Sequence, residues 1–332
     1  MFGSHDNDIA HTLSSIKSAI KKEHSFKHYA DKHIAKFVME EAKRAAHFIS
    51  QYTIEDSMHI HHSKKELLSA IIKKLNHLFS SARYYYHRSE FDRGELLKIT
   101  EKIESLFKEY SKSGSVYIFR HCQKIKRTDK RGEVYDGIPT EAIKKEAMER
   151  SKEIIKEILI SPKKVKVVLF HSEMKRTRIF KDIIIREIKH HLHHCKDKVE
   201  IEDKGFDSRI RFDYFTKEAL GEVKPLYKEK GPFYCFTKWY YNKDEFKNFK
   251  LQPKPEEVIK GVNDFVMNAV DASKKTDAYT IVIGISHGWI IDAFLLYKIP
   301  GLNNQIKHLI ETAAFFKAEC DEMNYLGKWV KL

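Results

Sequence analysis

An arginine and a histidine stand side by side at Arg120 and His121, where the apolar run Val116, Tyr117, Ile118 and Phe119 stops. Two other apolar runs stop in the same manner. VKVVLF (165–170) leads into His171 and Ser172, and TIVIGIS (280–286) leads into His287 and Gly288. Arg176 follows Ser172 by about one helical turn. Brought together, Arg120, His121, Arg176 and His287 would form a hole for an anion. Arginine matches phosphate with paired N–H donors, each charged bond worth roughly 1.5–3 kcal/mol. A neutral imidazole held there is a nucleophile able to attack phosphorus. The chemistry these residue types suit is phosphate binding and phosphoryl transfer.

Such groups need a rigid frame. The three runs are short and rich in β-branched and other apolar residues, which predicts buried strands, as in a parallel sheet. Helical patterns follow at about 140–160, 174–194, 256–274 and 288–298, so strands and helices alternate. That alternation predicts an α/β fold, in which ligands bind at the carboxyl ends of strands. The first 114 residues differ. They contain no proline and three glycines, Gly3, Gly94 and Gly114. Apolar spacing predicts four helices there, over about 8–23, 26–52, 63–88 and 94–111. Ser63 and Glu66 form a capping-box pair at the start of the third. The chain therefore divides into an N-terminal all-α helical bundle, residues 1–112, and an α/β domain, residues 113–332. The small polar stretch YSKSGS (110–115) marks the junction.

Bulk composition narrows the setting. The 332 residues carry 61 Lys plus Arg against 47 Asp plus Glu, a formal charge of +14, which favours anionic partners. Four scattered cysteines, Cys122, Cys195, Cys235 and Cys320, argue against a disulfide framework and for a reducing, cytoplasmic setting. No apolar run approaches the roughly 20 residues of a membrane span. The start, MFGSHDNDIA, lacks the pattern of a secretion signal.

Five elements in order resemble the histidine phosphatase superfamily, which includes the cofactor-dependent phosphoglycerate mutases. YIFRHCQK (117–124) is similar to its strand ending in Arg-His-Gly, with Cys122 in the glycine place. DGIPTEAIKKEAMERSKEI (136–154) looks like its Pro-Leu-Thr element opening a helix. VVLFHSEMKRTRIF (167–180) places Ser172, Met174 and Arg176 on its Ser-x-Leu-x-Arg pattern. EALGEVKPLY (218–227) offers Leu220 and Glu222 for Leu-x-Glu, and IVIGISHGWI (281–290) meets Ser-His-Gly with His287 and Gly288. The resemblance spans about 115–332. It implies a phosphoglycerate-mutase-like, mostly parallel sheet flanked by helices.

It also implies a phosphoric monoester hydrolase. His121 would be the nucleophile, passing through a phosphohistidine. Arg120, Arg176 and His287 would hold the phosphoryl oxygens, and Glu222 would protonate the leaving oxygen. Glu218 and Asp292 are the alternative acids. Ser172, Gly288, Lys124 and Arg127 would line the substrate site. The sequence departs from the pattern at Cys122, at Arg127 where many members carry Asn, and at Lys124 where the acid phosphatases carry Arg. The implied substrate is a phosphorylated small molecule or phosphoprotein, with no metal and no cofactor, and the helical domain is free to cap the pocket or dock a protein partner.

Other chemistries fit less well. A cysteine phosphatase loop needs five residues between Cys and Arg, whereas Cys122 and Arg127 enclose four. HIHH (59–62) and HHLHHC (190–195) are dense in histidine, but adjacent histidines on a helix diverge, and they read as solvated helix ends. The alternative class is a catalytically inactive phosphate- or nucleic-acid-binding module, in which SARYYYHR (81–88) and CFTKWYYNKDEFK (235–247) would stack on single strands.

Overall fold

A computed structural model describes residues 9–21, 27–55, 60–88, 91–110, 114–120, 125–128, 134–137, 140–161, 164–211, 217–241, 254–274, 278–299, 302, 315–319, 322–325 and 328–332. Four helices come first: α1 (Ile9–Lys21), α2 (Lys27–Glu55), α3 (His62–Tyr86) and α4 (Arg93–Tyr110). Their apolar stripes, among them Ile16, Val38, Leu68, Leu75, Ile103 and Phe107, bury one another in a common core. The capping box at Ser63 is displaced. The N-cap of α3 is His61, whose ring accepts from the Ser63 backbone N–H, so Ser63 already lies inside the helix.

The remainder is an α/β layer. It runs β1 (Ser115–Arg120), β2 (Ile125–Thr128), β3 (Val134–Gly137), α5 (Thr140–Ile160), β4 (Val165–His171), α6 (Lys175–His191), β5 (Val199–Phe206) and α7 (Lys217–Tyr240). Then follow α8 (Pro255–Lys274), β6 (Tyr279–Ser286), α9 (Gly288–Lys298), β7 (Phe315–Glu319), β8 (Glu322–Tyr325) and β9 (Lys328–Lys331). Seven strands form one sheet in the order β5-β4-β6-β1-β7-β8-β9, and β2 and β3 form a separate ribbon. The pairs β5–β4, β4–β6 and β6–β1 are parallel, while β7, β8 and β9 extend the sheet antiparallel.

The expected strand alternation is visible in β1. Tyr117 and Phe119 pack on one face with α5 and α6, and Val116 and Ile118 pack on the other with α8 and α9. Every residue of β6 is buried, so its sequence reads as a continuous apolar run. Gly284 within it is a packing requirement. A Cβ there would stand 2.8 Å from Ile118 Cδ1 and 2.9 Å from the Phe265 ring, so only glycine lets α8 sit this close.

The helical layer meets the sheet through buried charge. Lys64 of α3 donates to Tyr279 Oη at 2.7 Å and lies 3.4 Å from Glu319. Lys317 Nζ is 2.8 Å from Glu157 and 2.5 Å from Glu319, all three within 3% of full burial. Ser115 donates to Glu319, and Tyr279 and Tyr117 donate to Glu157. Burial alone would neutralise Glu157 and Glu319, but Lys317 and Lys64 outweigh it and hold both carboxyls below their ordinary range. These contacts lie at the amino-terminal ends of β1 and β6, since Ser115 and Glu319 are register partners. A helical cap over the pocket would need contacts at the other end.

Candidate active site

The sheet order makes the strand ends neighbours. β6 lies between β4 and β1, and Arg120 is the register partner of Ser286. Ser172, Arg176, His287 and Arg120 thus converge at one edge. Ser172 Oγ is 2.7 Å from His287 Nε2, and Arg176 Nη2 is 3.1 Å from His287 Nδ1. Arginine only donates, so Nδ1 must accept. That leaves Nε2–H to donate to Ser172, Ser172 to donate to Thr177 Oγ1 at 3.0 Å, and Thr177 to donate to the Met174 carbonyl at 2.7 Å. The chain of donors fixes one tautomer of His287 and one orientation of its ring.

His287 is also the N-cap of α9, so this helix points its amino end at the same edge. Gly288 opens the helix beneath Arg120. A Cβ at Gly288 would lie 2.5 Å from both Cζ and Nη2 of Arg120, which means any side chain there would push the guanidinium aside.

The anion hole also has acids beside it. Asp292 on α9 is fully buried, and among the described residues neither carboxylate oxygen has a hydrogen-bond partner. Burial pushes its carboxyl up to about 8, against the opposing pull of Arg120. Glu146 on α5 is raised to about 7 by burial, opposed by Arg150 and Arg120. Burial thus biases both carboxyls toward the neutral form near neutral pH.

The sign follows from linkage. The folded carboxyl of Asp292 titrates above its unfolded value near 4, so folding takes up a proton between about pH 4 and pH 8. Its contribution is fully present at the acid end of that window and is lost as pH rises through it. Urea unfolding of the wild type is expected to show a midpoint falling from pH 5 to pH 8. Asp292→Asn is expected to flatten that slope, leaving the smaller part due to Glu146. Parallel profiles would mean that Asp292 is ionised in the fold.

Of the residues singled out in the sequence, Arg120, Arg176, Ser172, His287 and Gly288 are brought together. His121, Cys122 and Lys124 lie outside the described residues. Arg127 is in β2, opposite Tyr135 of β3, and Glu222 is in α7; their side chains are outside the description. Thr177 was missed, and its only sequence signal was its place one residue after Arg176. Glu146 was missed too, being one carboxyl among many on an amphipathic helix.

No family model matches the chain, and a comparison with curated proteins finds no match. Among solved structures, mycobacterial hydrolase 1 is 12% identical, covering 66% of this chain and 97% of that one with a TM-score of 0.36. Mycobacterial glucosyl-3-phosphoglycerate phosphatase is 13% identical, covering 62% of this chain and 90% of that one with a TM-score of 0.35. At such identities the chemistry of this chain rests on its own residues.

Proposed function

We propose that this chain is a phosphatase of the histidine phosphatase superfamily, with a phosphoglycerate-mutase-like sheet, that hydrolyses phosphomonoesters in the cytoplasm. One observation carries this reading: Arg120, Arg176, His287 and Ser172 meet at the carboxyl ends of three adjacent parallel strands. In the proposed reaction a ring nitrogen of His121 attacks phosphorus, and the bond to the leaving oxygen breaks. Arg120 and Arg176 take up the charge that develops on the phosphoryl oxygens, joined by His287 once substrate draws the Arg176 guanidinium off Nδ1 and that nitrogen takes a proton to donate. An acid, for which Glu222 is proposed, gives the leaving oxygen its proton. Water then gives a proton back to the same carboxylate as it attacks phosphorus, the P–N bond breaks, the imidazole is restored and phosphate departs. Lys124 and Arg127 are proposed to bind substrate, which is a phosphorylated small molecule or phosphoprotein. The division into a helical domain, 1–112, and an α/β domain, 113–332, belongs to the same proposal, with the helical domain offered to a protein partner.

The intact chain is expected to turn over p-nitrophenyl phosphate. Arg176→Ala is expected to lose roughly 10²–10³ in rate, as when one donor to a developing oxyanion is removed. It also frees Nδ1 of His287, so the pH profile of the residual activity should change. Phosphate binding without turnover would instead favour a non-catalytic phosphate-binding module, and binding of single-stranded nucleic acid that falls steeply with salt would favour the nucleic-acid reading.

A further inference from the structure

The HIHH segment behaves differently from its sequence reading. Its last two residues straddle the start of α3, with His61 in extended backbone as the N-cap and His62 as the first helical residue. Two adjacent histidines inside a helix diverge, but across this bend their ring centroids are 4.2 Å apart. A third group comes from far along the chain. Glu322 Oε2, at the start of β8, lies 2.8 Å from His61 Nε2 and 3.7 Å from His62 Nδ1. One ligand atom from each of the three residues falls within 4.8 Å of the others. Ligand atoms on a tetrahedral zinc, with bonds near 2.0–2.1 Å, stand about 3.3 Å apart. The observed separations bracket that value, so small shifts would admit an ion.

We infer that His61, His62 and Glu322 form a zinc site that clamps the helical layer to the antiparallel edge of the sheet. Two imidazoles and a carboxylate are a donor set that suits zinc. The surroundings fit as well. His61 Nδ1 is 2.6 Å from Ser63 Oγ, so when Nε2 binds the metal the proton can sit on Nδ1 and bond to that hydroxyl. His61 is 5% exposed and Trp329 lies edge-on against its ring at 4.8 Å, closing one side of the site. The His62 side chain is 67% exposed, which leaves an entry path and room for water as a fourth ligand. Binding would exchange the hydrogen bond between His61 and Glu322, and the capping bond from the Ser63 backbone N–H to Nδ1, for two bonds to the metal, moving one imidazole proton from Nε2 to Nδ1. The site belongs to the helix–sheet junction at the amino-terminal ends of the strands, opposite Arg120, and it does not depend on the proposed phosphatase chemistry.

The test uses the full chain, stripped of metal with a chelator and titrated with Co²⁺ as an optical probe and then with Zn²⁺. One Co²⁺ per chain is expected, with the visible absorption of a four-coordinate site, displaced by one Zn²⁺. Zinc is expected to raise the thermal midpoint by mass action. His62→Ala changes only an exposed side chain and keeps the hydrogen bond between His61 and Glu322, so it should fold. Both His62→Ala and Glu322→Gln are expected to weaken binding at least tenfold and to remove the thermal shift. Turnover of p-nitrophenyl phosphate should be unchanged in His62→Ala. Binding of equal affinity in both variants would place the metal elsewhere, such as residues 190–194, and overturn the inference. Failure of the wild type to bind Co²⁺ or Zn²⁺ would overturn it too.

Discussion

Replacing His121 by alanine is expected to abolish turnover of p-nitrophenyl phosphate, with a loss on the order of 10⁴-fold or more. Removing a covalent nucleophile takes away the two-step route itself, whereas removing one charge-stabilising donor leaves that route in place. The position argues for the role. His121 directly follows Arg120, which ends the strand flanked by β6 and β7, and Arg120 lies against the first residue of α9. Arg120 is held at the edge where Ser172, Arg176 and His287 are joined, and His121 is proposed to act beside it. Rapid acid-free quench of the wild type with a ³²P-labelled substrate should trap a phosphoenzyme that is stable in base and labile in acid. His121→Ala should trap none. Activity within about tenfold of wild type in that variant would rule out a phosphohistidine on this residue, whatever becomes of the fold assignment.

Lys317→Met is expected to destabilise the protein by about 3–5 kcal/mol, the range for breaking a buried ion pair from one side. Methionine fills much the same space, so the loss reports charge rather than volume. Lys317 is 3% exposed and serves two carboxylates, Glu157 and Glu319, each 1% exposed. Without it, two buried anions share Lys64 alone. The measurement is the midpoint of urea unfolding at pH 7. Adding Glu319→Gln to Lys317→Met should recover part of the loss, because it removes one of the stranded charges. A single variant that unfolds at the wild-type midpoint would show that these carboxyls are protonated in the fold.

How much of this could be read from the sequence depends on the kind of residue involved. The strands VYIF, VKVVLF and TIVIGIS were legible because most of their positions are buried and apolar, Lys166 being the charged exception. The helices were legible to within a few residues because a repeated apolar stripe marks each one. Strand β5, VEIEDKGF, was missed: it is an edge strand whose exposed positions carry charge. Strands β7 to β9 were missed for a different reason. β7 reads FFKAE, and a lysine and a glutamate in a five-residue run argue for a surface loop. Only pairing with Glu157, Lys64 and Ser115, supplied by other parts of the chain, makes these charges compatible with the core.

By itself the sequence pointed to groups suited to an anion and placed Arg120, Ser172 and His287 at the stops of apolar runs, since such runs and their polar stops are local facts. It did not determine that β4, β6 and β1 are neighbours, because strand order arises from pairing between distant segments. The tertiary structure decided that order and with it the donor chain from Arg176 through His287 and Ser172 to Thr177. It also decided the state of Asp292, whose carboxyl looks like any other in the sequence and is neutral near pH 7 only because the fold removes it from water. The helical layer follows the same rule. Its amphipathic stripes fixed four helices, but the end of the sheet they meet was settled by where Lys64 finds the buried Tyr279 and His61 finds Glu322.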